Sequence, residues 1–230
     1  MADGTLVTVI VPVLNEEATI REVIERLLSL PLQIQVIVVD DASTDRTPEI
    51  LQEFAGQIHV LRNESKSGKG AAIRQSLPYA TGAVVVIQDA DLEYAPEELP
   101  SLVQPILDGH YSVVYGNRFH HGFPKGMALP NKMVNWLLAK SVNWLFGHHI
   151  SDEATCYKAF RRDVLDAMEL QCTRFEFCPE VTAKTLRMGE HIHEIPIQYK
   201  PRSMEAGKKI RWTDAPDAFL TLWKYRRWRP

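Results

Sequence analysis

The chain has 230 residues, of which 45% are hydrophobic and 24% charged, with a net charge of −3 and a mean hydropathy of −0.18. This composition is typical of a globular protein with one sizeable core and excludes a disordered chain, a collagen-like repeat and a coiled coil. The apolar stretches 6–14 and 83–87 are far shorter than the ~20 apolar residues of a membrane-spanning helix. An odd count of three cysteines without a C-x-x-C pair predicts reduced thiols and no zinc knuckle. The first residues lack the pattern of a signal peptide, so we expect a cytoplasmic protein.

Short β-branched runs alternate with amphipathic stretches along the chain. Strands are predicted for the buried-type runs 7–11, 36–40, 58–61, 83–88 and 112–115. Helices are predicted where apolar residues recur at helical spacing, in 20–28, 50–54 and 99–107. This alternation indicates an α/β fold with a mixed, mostly parallel sheet flanked by helices. Ligands of such sheets bind at the carboxyl ends of the strands, where polar clusters follow these runs.

Three acidic residues follow the fourth predicted strand. Asp89, Asp91 and Glu93 alternate along the chain, so an extended backbone would direct them to one side. Carboxylates that converge need a cation, and oxygen ligands select Mg²⁺ or Mn²⁺ shared with substrate phosphates. A solvated turn is the alternative interpretation of an isolated D-x-D.

Two further clusters suit a phosphorylated ligand. Gly68-Lys69-Gly70 begins a predicted helix and offers backbone amides and a cation to a diphosphate, although a plain turn is equally compatible with it. Its spacing excludes a Walker A loop, and no G-x-G-x-x-G follows a strand. Asp40 and Asp41 could accept hydrogen bonds from a nucleobase or ribose, whereas Thr47 is expected to cap the next helix.

Taken together, these motifs resemble those of one enzyme family. The segments at 11–16, 38–47, 67–72 and 89–93 are similar, in this order, to GT-A fold glycosyltransferases of family 2. The segments at 116–118, 151–161, 176–180 and 194–202 resemble, within that family, the polyprenyl-phosphate (dolichol-phosphate) mannosyl- and glucosyltransferases. The resemblance extends from about residue 8 to about residue 223. It implies a single GT-A domain over 1–211, followed by a basic, aromatic helix over 212–230.

The resemblance assigns roles to individual residues. It implies a nucleotide pocket and a metal site, formed by Pro12, Leu14, Glu16, Asp41 and Lys69 for the donor, and by Asp89, Asp91 and Glu93 for the ion. A divalent cation would stabilise the negative charge of the departing nucleoside diphosphate, so Asp91 is also counted as catalytic. Arg202, with Lys208 and Lys209, resembles a basic loop that closes over the donor phosphates.

The acceptor half of the site is predicted in the same way. Arg118 corresponds to an arginine that contacts the acceptor phosphate, a role that suits a planar guanidinium. A second arginine of the family is absent, and Lys132 stands in its region as the expected substitute. Asp152 lies where relatives that use hydroxyl acceptors have a general base; here it is expected to act as a base, to orient the acceptor or to support the site.

The C-terminal part of the chain is basic. Residues 198–230 hold nine Lys or Arg against three Asp or Glu, a net +6, which leaves −9 on residues 1–197. The aromatic and basic segment 219–229 is predicted to contact a membrane surface peripherally. The apolar segment 133–146 is interpreted as an ordinary core helix in preference to a membrane-contacting one. Binding of nucleic acid is not expected, because the body is acidic and carries no RNA-binding motif.

The sequence therefore predicts an inverting hexosyltransferase. We expect it to move a sugar from a nucleotide diphosphate sugar, either GDP-mannose or UDP-glucose, to polyprenyl or dolichyl phosphate at the cytosolic face of a membrane. One alternative is a family 2 enzyme with a hydroxyl acceptor and Asp152 as base; another is a non-catalytic nucleotide-sugar sensor. The sequence does not identify the base, the lipid length, the oligomeric state or a membrane-bound partner subunit.

Overall fold

A computed structural model describes residues 6–124, 127–201 and 215–230 of the chain. Its centre is a seven-stranded sheet with the order β3-β2-β1-β4-β6-β5-β7. The strands are β1 (Val7–Val13), β2 (Ile34–Asp40), β3 (His59–Arg62), β4 (Val84–Ile87), β5 (Val113–Asn117), β6 (Lys158–Arg161) and β7 (Ile192–Pro196). Only β6 runs antiparallel to its neighbours, β4 and β5; the remaining pairs are parallel. The predicted mixed, mostly parallel sheet is thus confirmed.

Helices cover both faces of this sheet. They are α1 (Ile20–Leu28), α2 (Thr47–Gln52), α3 (Lys69–Ser76), α4 (Leu99–Leu107), α5 (Leu129–Phe146), α6 (Arg162–Ala167), α7 (Phe177–Arg187) and α8 (Ala215–Tyr225). Because side chains of a strand alternate, Val9 and Val11 belong to the core that α1, α2 and α4 cover, whereas Ile10 belongs to the core that α3 and α5 to α8 cover. The two cores hold the strand ends in register, which fixes the loops that follow them.

The hydrophobic pattern does not reveal strand β6. Its first residue, Lys158, is fully buried. The ammonium Nζ donates a hydrogen bond to the backbone oxygen of Glu153 at 2.7 Å and lies 3.4 Å from the ring centroid of Tyr115. A charged residue with such partners interrupts the apolar run by which a buried strand is recognised.

The interpretation of 133–146 as a core helix is wrong in part. Leu138, Ala139 and Val142 of α5 are buried, but Trp136 and Trp144 on its other side are exposed. The helix has apolar residues of its own on all sides, so the sequence pattern does not distinguish its inner face from its outer face.

The C-terminal helix α8 packs, through Leu222 and Tyr225, on the core that it shares with α3 and α5 to α7. The predicted boundary between 211 and 212 lies outside the described residues, and the division there stays a prediction. Among the helices of the described ranges, none is both long and apolar enough to cross a membrane.

Candidate active site

A cavity of about 630 Å³ opens at the carboxyl ends of β1, β2, β4 and β5. It contains nearly all the residues that the sequence singled out, because parallel strands bring their ends to one edge of the sheet. Those residues are Pro12, Leu14, Glu16, Asp41, Lys69, Asp89, Asp91, Glu93 and Arg118. Asp152 lies beneath the cavity without lining it, and Arg202 lies outside the described residues.

Asp89, at the end of β4, forms an ion pair with the ammonium group of Lys69. The same ammonium donates a hydrogen bond to Cys156 Sγ at 3.1 Å. Burial disfavours the charge on Lys69, but the nearby carboxylate outweighs it, so the pKa of Lys69 is raised. Lys69 is therefore a permanent cation next to the first of the three acidic residues.

The other two acidic residues are also engaged. Asp91 Oδ1 accepts a hydrogen bond from the backbone N–H of Glu93 at 3.1 Å. Glu93 Oε2 accepts one from the hydroxyl of Tyr199 at 2.9 Å. Within the described residues, no three His, Cys, Asp or Glu side chains are grouped closely enough to hold a metal ion. The three carboxylates therefore line one cavity without forming a ready three-ligand cluster.

These donors nevertheless suit a hard cation. Mg²⁺ in phosphate-binding sites commonly takes one or two protein carboxylates and completes its shell with phosphate oxygens and water. Asp89 and Asp91 both line the cavity and offer oxygen ligands only. The chemistry of the residues thus fits Mg²⁺ or Mn²⁺ held jointly with a diphosphate, and the predicted assignment to these residues stays a prediction.

Asp41, after β2, organises the loop that precedes α3. Its carboxylate accepts hydrogen bonds from the Ser67 amide at 2.7 Å and hydroxyl at 2.6 Å, from Asn63 Nδ2 at 2.8 Å and from the Gly68 amide at 2.8 Å. Burial raises the pKa of Asp41, but these donors outweigh it and the net shift is downward. The ionised side chain fastens the loop, which places Lys69 at the cavity.

The predicted use of the backbone amides of 68–70 for a diphosphate is wrong for two of them. The Gly68 N–H donates to Asp41, and the Gly70 N–H donates to the backbone oxygen of Arg174 at 3.0 Å. A Cβ at Gly68 would lie 2.4 Å from the Thr173 oxygen, and its φ of +98° disfavours other residues. The glycines make room for the neighbouring backbone of residues 172–174, and Lys69 is the cation of this loop that lines the cavity.

The loop after β1 is tied to the loop after β2. The Glu16 amide donates to Thr47 Oγ1 at 3.0 Å, and the Thr47 amide donates to Asp45 Oδ1 at 3.0 Å. The expectation that Thr47 caps α2 is therefore wrong, since its hydroxyl serves the β1 loop and Asp45 accepts the amide at the helix start. Pro12, Leu14 and Glu16 are held against the cavity by this link.

Arg118 follows β5 and is nearly buried. Its Nε and Nη2 donate to the two carboxylate oxygens of Asp152 at 2.7 and 2.6 Å, and Nη2 also donates to Asn135 Oδ1 at 3.1 Å. Burial disfavours the guanidinium charge, but Asp152 outweighs it and raises the pKa of Arg118. Because Nε and Nη2 hold these contacts, the Nη1 side of the guanidinium is the one left to meet a ligand; no described residue accepts from it.

Asp152 is completely buried, and both its backbone amide and its carboxylate are hydrogen-bonded. Its amide donates to Glu194 Oε1 at 2.8 Å, and its carboxylate accepts three hydrogen bonds from Arg118, from the backbone N–H at 3.0 Å, from Nε and from Nη2. A group in this position orients the arginine. To act as a base it would have to release that arginine.

Lys132, the expected substitute for the second arginine, does not line the cavity. Asn131 and Asn135 of α5 do so instead. The helical turn places positions 131, 134, 135 and 138 towards the cavity and turns position 132 away from it. Of these residues, Asn135 contacts Arg118 through its side-chain oxygen.

Two tyrosines that received no role from the sequence connect the halves of the site. The Tyr199 hydroxyl donates a hydrogen bond to Glu93, and its ring lies 5.1 Å from the guanidinium carbon of Arg118. The ring centroids of Tyr199 and Tyr94 are 5.2 Å apart. Tyr199 belongs to the segment 194–202 that carried the resemblance. A tyrosine in such a segment is a signal, but only the fold brings it next to residues 93 and 118.

Glu153 also borders the cavity and was not foreseen. It is almost fully buried, and within the described part of the chain neither carboxylate oxygen has a hydrogen-bond partner. Burial raises the pKa of Glu153 to about 7 despite the opposing effect of Lys158. Glu153 belongs to the segment 151–161 that carried the resemblance, but its burial follows only from the fold.

Comparison with known proteins gives the cavity its context. The family described as Glycosyl transferase family 2 matches residues 8–168. The Low-salt glycan biosynthesis hexosyltransferase Agl6 of Haloferax volcanii is 34% identical over 209 residues, covering 86% of this chain and 49% of that protein. The undecaprenyl-phosphate 4-deoxy-4-formamido-L-arabinose transferase of Pectobacterium carotovorum is 37% identical, covering 88% of this chain and 62% of that protein.

A third relative is matched over most of its length. The undecaprenyl-phosphate mannosyltransferase of Micrococcus luteus is 30% identical, with 88% of this chain and 86% of that protein covered. Among solved structures, glucosyl-3-phosphoglycerate synthase of Mycobacterium tuberculosis, crystallised with Mn²⁺, UDP and phosphoglyceric acid, has a TM-score of 0.75 at 24% identity, covering 99% of this chain and 80% of that one. This likeness shows the GT-A-type fold. The family match covers more than half of the chain, and the Micrococcus relative is 30% identical over 88% of it. The chain therefore belongs to glycosyl transferase family 2.

Proposed function

We infer that this chain transfers a hexose, with inversion, from a nucleotide diphosphate sugar to a polyprenyl or dolichyl phosphate. The observation that supports this most directly is the position of Arg118, a buried cation at the cavity wall. Asp152 and Asn135 fix its Nε and Nη2 groups. The guanidinium can offer its remaining donors to a phosphate, as a charge-assisted contact. The names of the Pectobacterium and Micrococcus relatives, both transferases acting on undecaprenyl phosphate, support this choice of acceptor.

The donor half of the cavity suits a sugar nucleotide. Pro12, Leu14 and Glu16 form the wall for the nucleoside, and Lys69 is a cation for the diphosphate. Asp89 and Asp91, assisted by Glu93, would hold Mg²⁺ or Mn²⁺. When bound, that ion supplies stabilisation of the charge that develops on the leaving diphosphate. Whether the donor is GDP-mannose or UDP-glucose is decided by the shape of the pocket and not by any one of these residues.

A phosphate acceptor removes the need for a general base. The second pKa of a phosphate monoester is about 6, so the nucleophile is largely ionised at neutral pH. Arg118 then orients the phosphate, whose oxygen attacks the anomeric carbon while the bond from that carbon to the diphosphate oxygen breaks. Asp152 and Asn135 keep Arg118 in place for this step.

The runner-up is transfer to a hydroxyl with Asp152 as base. The two functions predict opposite rankings of two variants. With a prenyl phosphate as acceptor, Arg118→Ala should reduce turnover by at least ~100-fold, the size of losing a preorganised charge contact. Arg118→Lys should recover part of the loss, because it restores the charge without the two-pronged geometry.

The measurement is release of nucleoside diphosphate and formation of glycosyl phosphoprenol, both with purified protein, Mg²⁺ or Mn²⁺, and each donor. Asp152→Asn should mainly raise the KM for the prenyl phosphate, because it loosens Arg118. If Asp152→Asn instead abolishes turnover while Arg118→Ala is active, the hydroxyl-acceptor function is correct and our proposal is wrong.

A further inference from the structure

Two of the three cysteines lie side by side in the wall of the cavity. Cys156 and Cys178 both line it, and both are free thiols. A hydrogen bond joins the two side chains. Cys178 Sγ also lies 3.5 Å from the backbone oxygen of Thr155, the residue before Cys156. The fold thus brings together two thiols that are distant in the sequence and that no C-x-x-C pattern indicates.

The third cysteine has a different environment. Cys172 is buried beside Gly70 of α3 and does not line the cavity. Burial, together with the nearby Glu180 carboxylate, raises the pKa of its thiol. Cys172 is therefore expected to be unreactive, and it serves as an internal reference for the other two.

Positive charge surrounds the pair. The Lys69 ammonium donates a hydrogen bond to Cys156 Sγ at 3.1 Å, and Cys178 is the second residue of α7, at the positive end of that helix. The hydrogen bond from Cys156 lowers the pKa of Cys178 to about 6 against the opposing effect of burial, and Lys158 and Lys69 act in the same direction as the hydrogen bond. The same hydrogen bond and burial raise the pKa of Cys156. At neutral pH the pair therefore holds a thiolate beside a thiol.

This arrangement is typical of cysteines that are oxidised selectively. The thiolate is the nucleophilic form of cysteine, and reactive cysteines lie in electropositive, partly exposed surroundings, whereas buried structural cysteines are inert. Cys178 is partly exposed and Cys156 is buried. Cys178 thus has the properties of an attacking thiol, and Cys156 stands next to it as a resolving thiol.

We propose that Cys178 and Cys156 form a redox-active pair that a hydroperoxide converts to a disulfide. In the first step the Cys178 sulfur attacks a peroxide oxygen, an S–O bond forms, the O–O bond breaks, and the departing hydroxide takes up the proton that the thiol released. In the second step the Cys156 sulfur attacks the sulfur of the resulting sulfenic acid. An S–S bond forms, the S–O bond breaks, and the hydroxyl leaves as water with the Cys156 proton. The two thiols lose two electrons, which reduce hydrogen peroxide to two water molecules.

The position of the pair connects this oxidation with the cavity. A disulfide holds its sulfur atoms about 2 Å apart, closer than two hydrogen-bonded thiols. The bond would draw the first turn of α7 towards Cys156, and Phe177 and Pro179 of that turn line the cavity. Cys156 is also the hydrogen-bond partner of Lys69. We therefore expect the oxidised protein to bind ligands of the cavity more weakly than the reduced protein does.

The test is treatment of the reduced full chain with hydrogen peroxide, followed by thiol titration and intact-mass measurement. Wild type should pass from three free thiols to one and lose about 2 Da, and dithiothreitol should restore all three thiols. Peptide mapping should place the new bond between residues 156 and 178. The matched control Cys172→Ser should lose both of its thiols at the wild-type rate. Cys178→Ser should lose thiols at least about tenfold more slowly, because its remaining cysteines are buried.

Cys156→Ser separates the two steps. This variant lacks the resolving thiol, so oxidation of Cys178 should stop at the sulfenic acid, which dimedone captures as an adduct on residue 178. Circular dichroism of the reduced variants shows that they are folded, and the wild-type peptide map decides the question if one of them is not. The proposal is overturned if folded wild type keeps three thiols under peroxide, if the bond includes Cys172, or if Cys178→Ser is oxidised as fast as wild type.

A second measurement concerns the cavity and separates this proposal from the proposed function. After removal of the peroxide, the rise in Tm with sugar nucleotide and Mn²⁺ should be smaller by about half or more in oxidised than in reduced wild type. Peroxide treatment should leave the response of Cys178→Ser unchanged. Equal rises in oxidised and reduced wild type would refute the expected effect on the cavity. If reduced wild type responds to no donor, the proposed function fails, and the disulfide result is unaffected.

Discussion

The pairing of Arg118 with Asp152 shows how a single residue's role depends on its neighbours. The sequence suggests Asp152 as a candidate base, but in the fold its carboxylate is buried and accepts three hydrogen bonds from the arginine, one from its backbone N–H and two from its guanidinium. Replacing one member of such a buried pair leaves an unpaired charge, which typically costs about 3–5 kcal/mol. Asp152→Asn must therefore be judged by acceptor KM and by thermal stability together.

Glu153 should make the stability of the protein decrease as pH rises towards neutrality. Its pKa is raised by burial from an ordinary 4.5 to about 7. A raised pKa in the folded state favours folding at low pH, and that contribution is lost between about pH 4.5 and 7 as the buried group must ionise. The loss amounts to about 3 kcal/mol.

Glu153→Gln should therefore raise the free energy of unfolding at pH 8 by about 3 kcal/mol and change it little at pH 4.5. The measurement is denaturant unfolding across this pH range, with Glu64→Gln at an exposed position as the control. An unchanged pH profile would mean that Glu153 is already ionised in the folded protein.

Gly68 and Gly56 separate two costs of replacing glycine. Both have positive φ, but a Cβ at Gly68 would meet the Thr173 oxygen at 2.4 Å, whereas nothing lies within 4 Å at Gly56. Gly56→Ala should cost about 1 kcal/mol from backbone strain, and Gly68→Ala clearly more. Thermal unfolding gives both values; equal losses would show that the loop yields without cost.

Among the elements, α7 anchors the segment 168–172 that precedes it. Lys184 and Glu180 form a fully buried ion pair, with Nζ to Oε1 at 2.6 Å, and Glu180 also accepts the amides of Gln171 and Cys172. Lys184 lies 4.6 Å from the ring of Tyr225 in α8. One ion pair thereby joins α7, the 168–172 segment and the C-terminal helix.

Breaking this pair should be costly. Glu180→Gln and Lys184→Met should each destabilise the protein by about 3–5 kcal/mol, and the double variant by less than their sum, because the partner charge is removed as well. Glu22→Gln, in an exposed pair with Arg26, should cost less than about 1 kcal/mol. Denaturant unfolding distinguishes these cases. Additive losses for the double variant would show that the two charges do not interact.

The elements that the sequence predicts are those whose pattern is local. The first five strands and the helices between them follow from β-branched runs and helical spacing, and the structure confirms them within a few residues. Strand β6 was not predicted because the buried Lys158 interrupts its apolar pattern. The exposed face of α5 was not predicted because its side chains are apolar, like those of a core face. The contacts of Tyr199 and Asn135 join residues distant in sequence, which no local pattern contains.

At the scale of the whole molecule, one edge of the sheet combines two halves. The half that we propose for the donor has carboxylates and Lys69, and the half that we propose for the acceptor has the Arg118 cation, with Tyr199 between them. Negative charge predominates in residues 1–197 and positive charge after them. Two anionic substrates repel each other, so a reaction between them in this cavity needs cations that offset the repulsion and orient both substrates.

We propose that this cavity binds a sugar nucleotide together with a divalent ion at Asp89 and Asp91. The most direct measurement is a thermal-unfolding panel of GDP- and UDP-sugars, each with and without Mn²⁺, on wild type and Asp91→Asn. A donor at about 100 times its Kd should stabilise the folded protein by about 2.7 kcal/mol, a Tm rise of about 5 °C or more. We expect one donor to give this rise in wild type only when Mn²⁺ is present, and no comparable rise in Asp91→Asn. If no sugar nucleotide raises the Tm of wild type, or if Asp91→Asn responds to donor and Mn²⁺ as wild type does, the cavity does not bind the donor through a metal ion at Asp91.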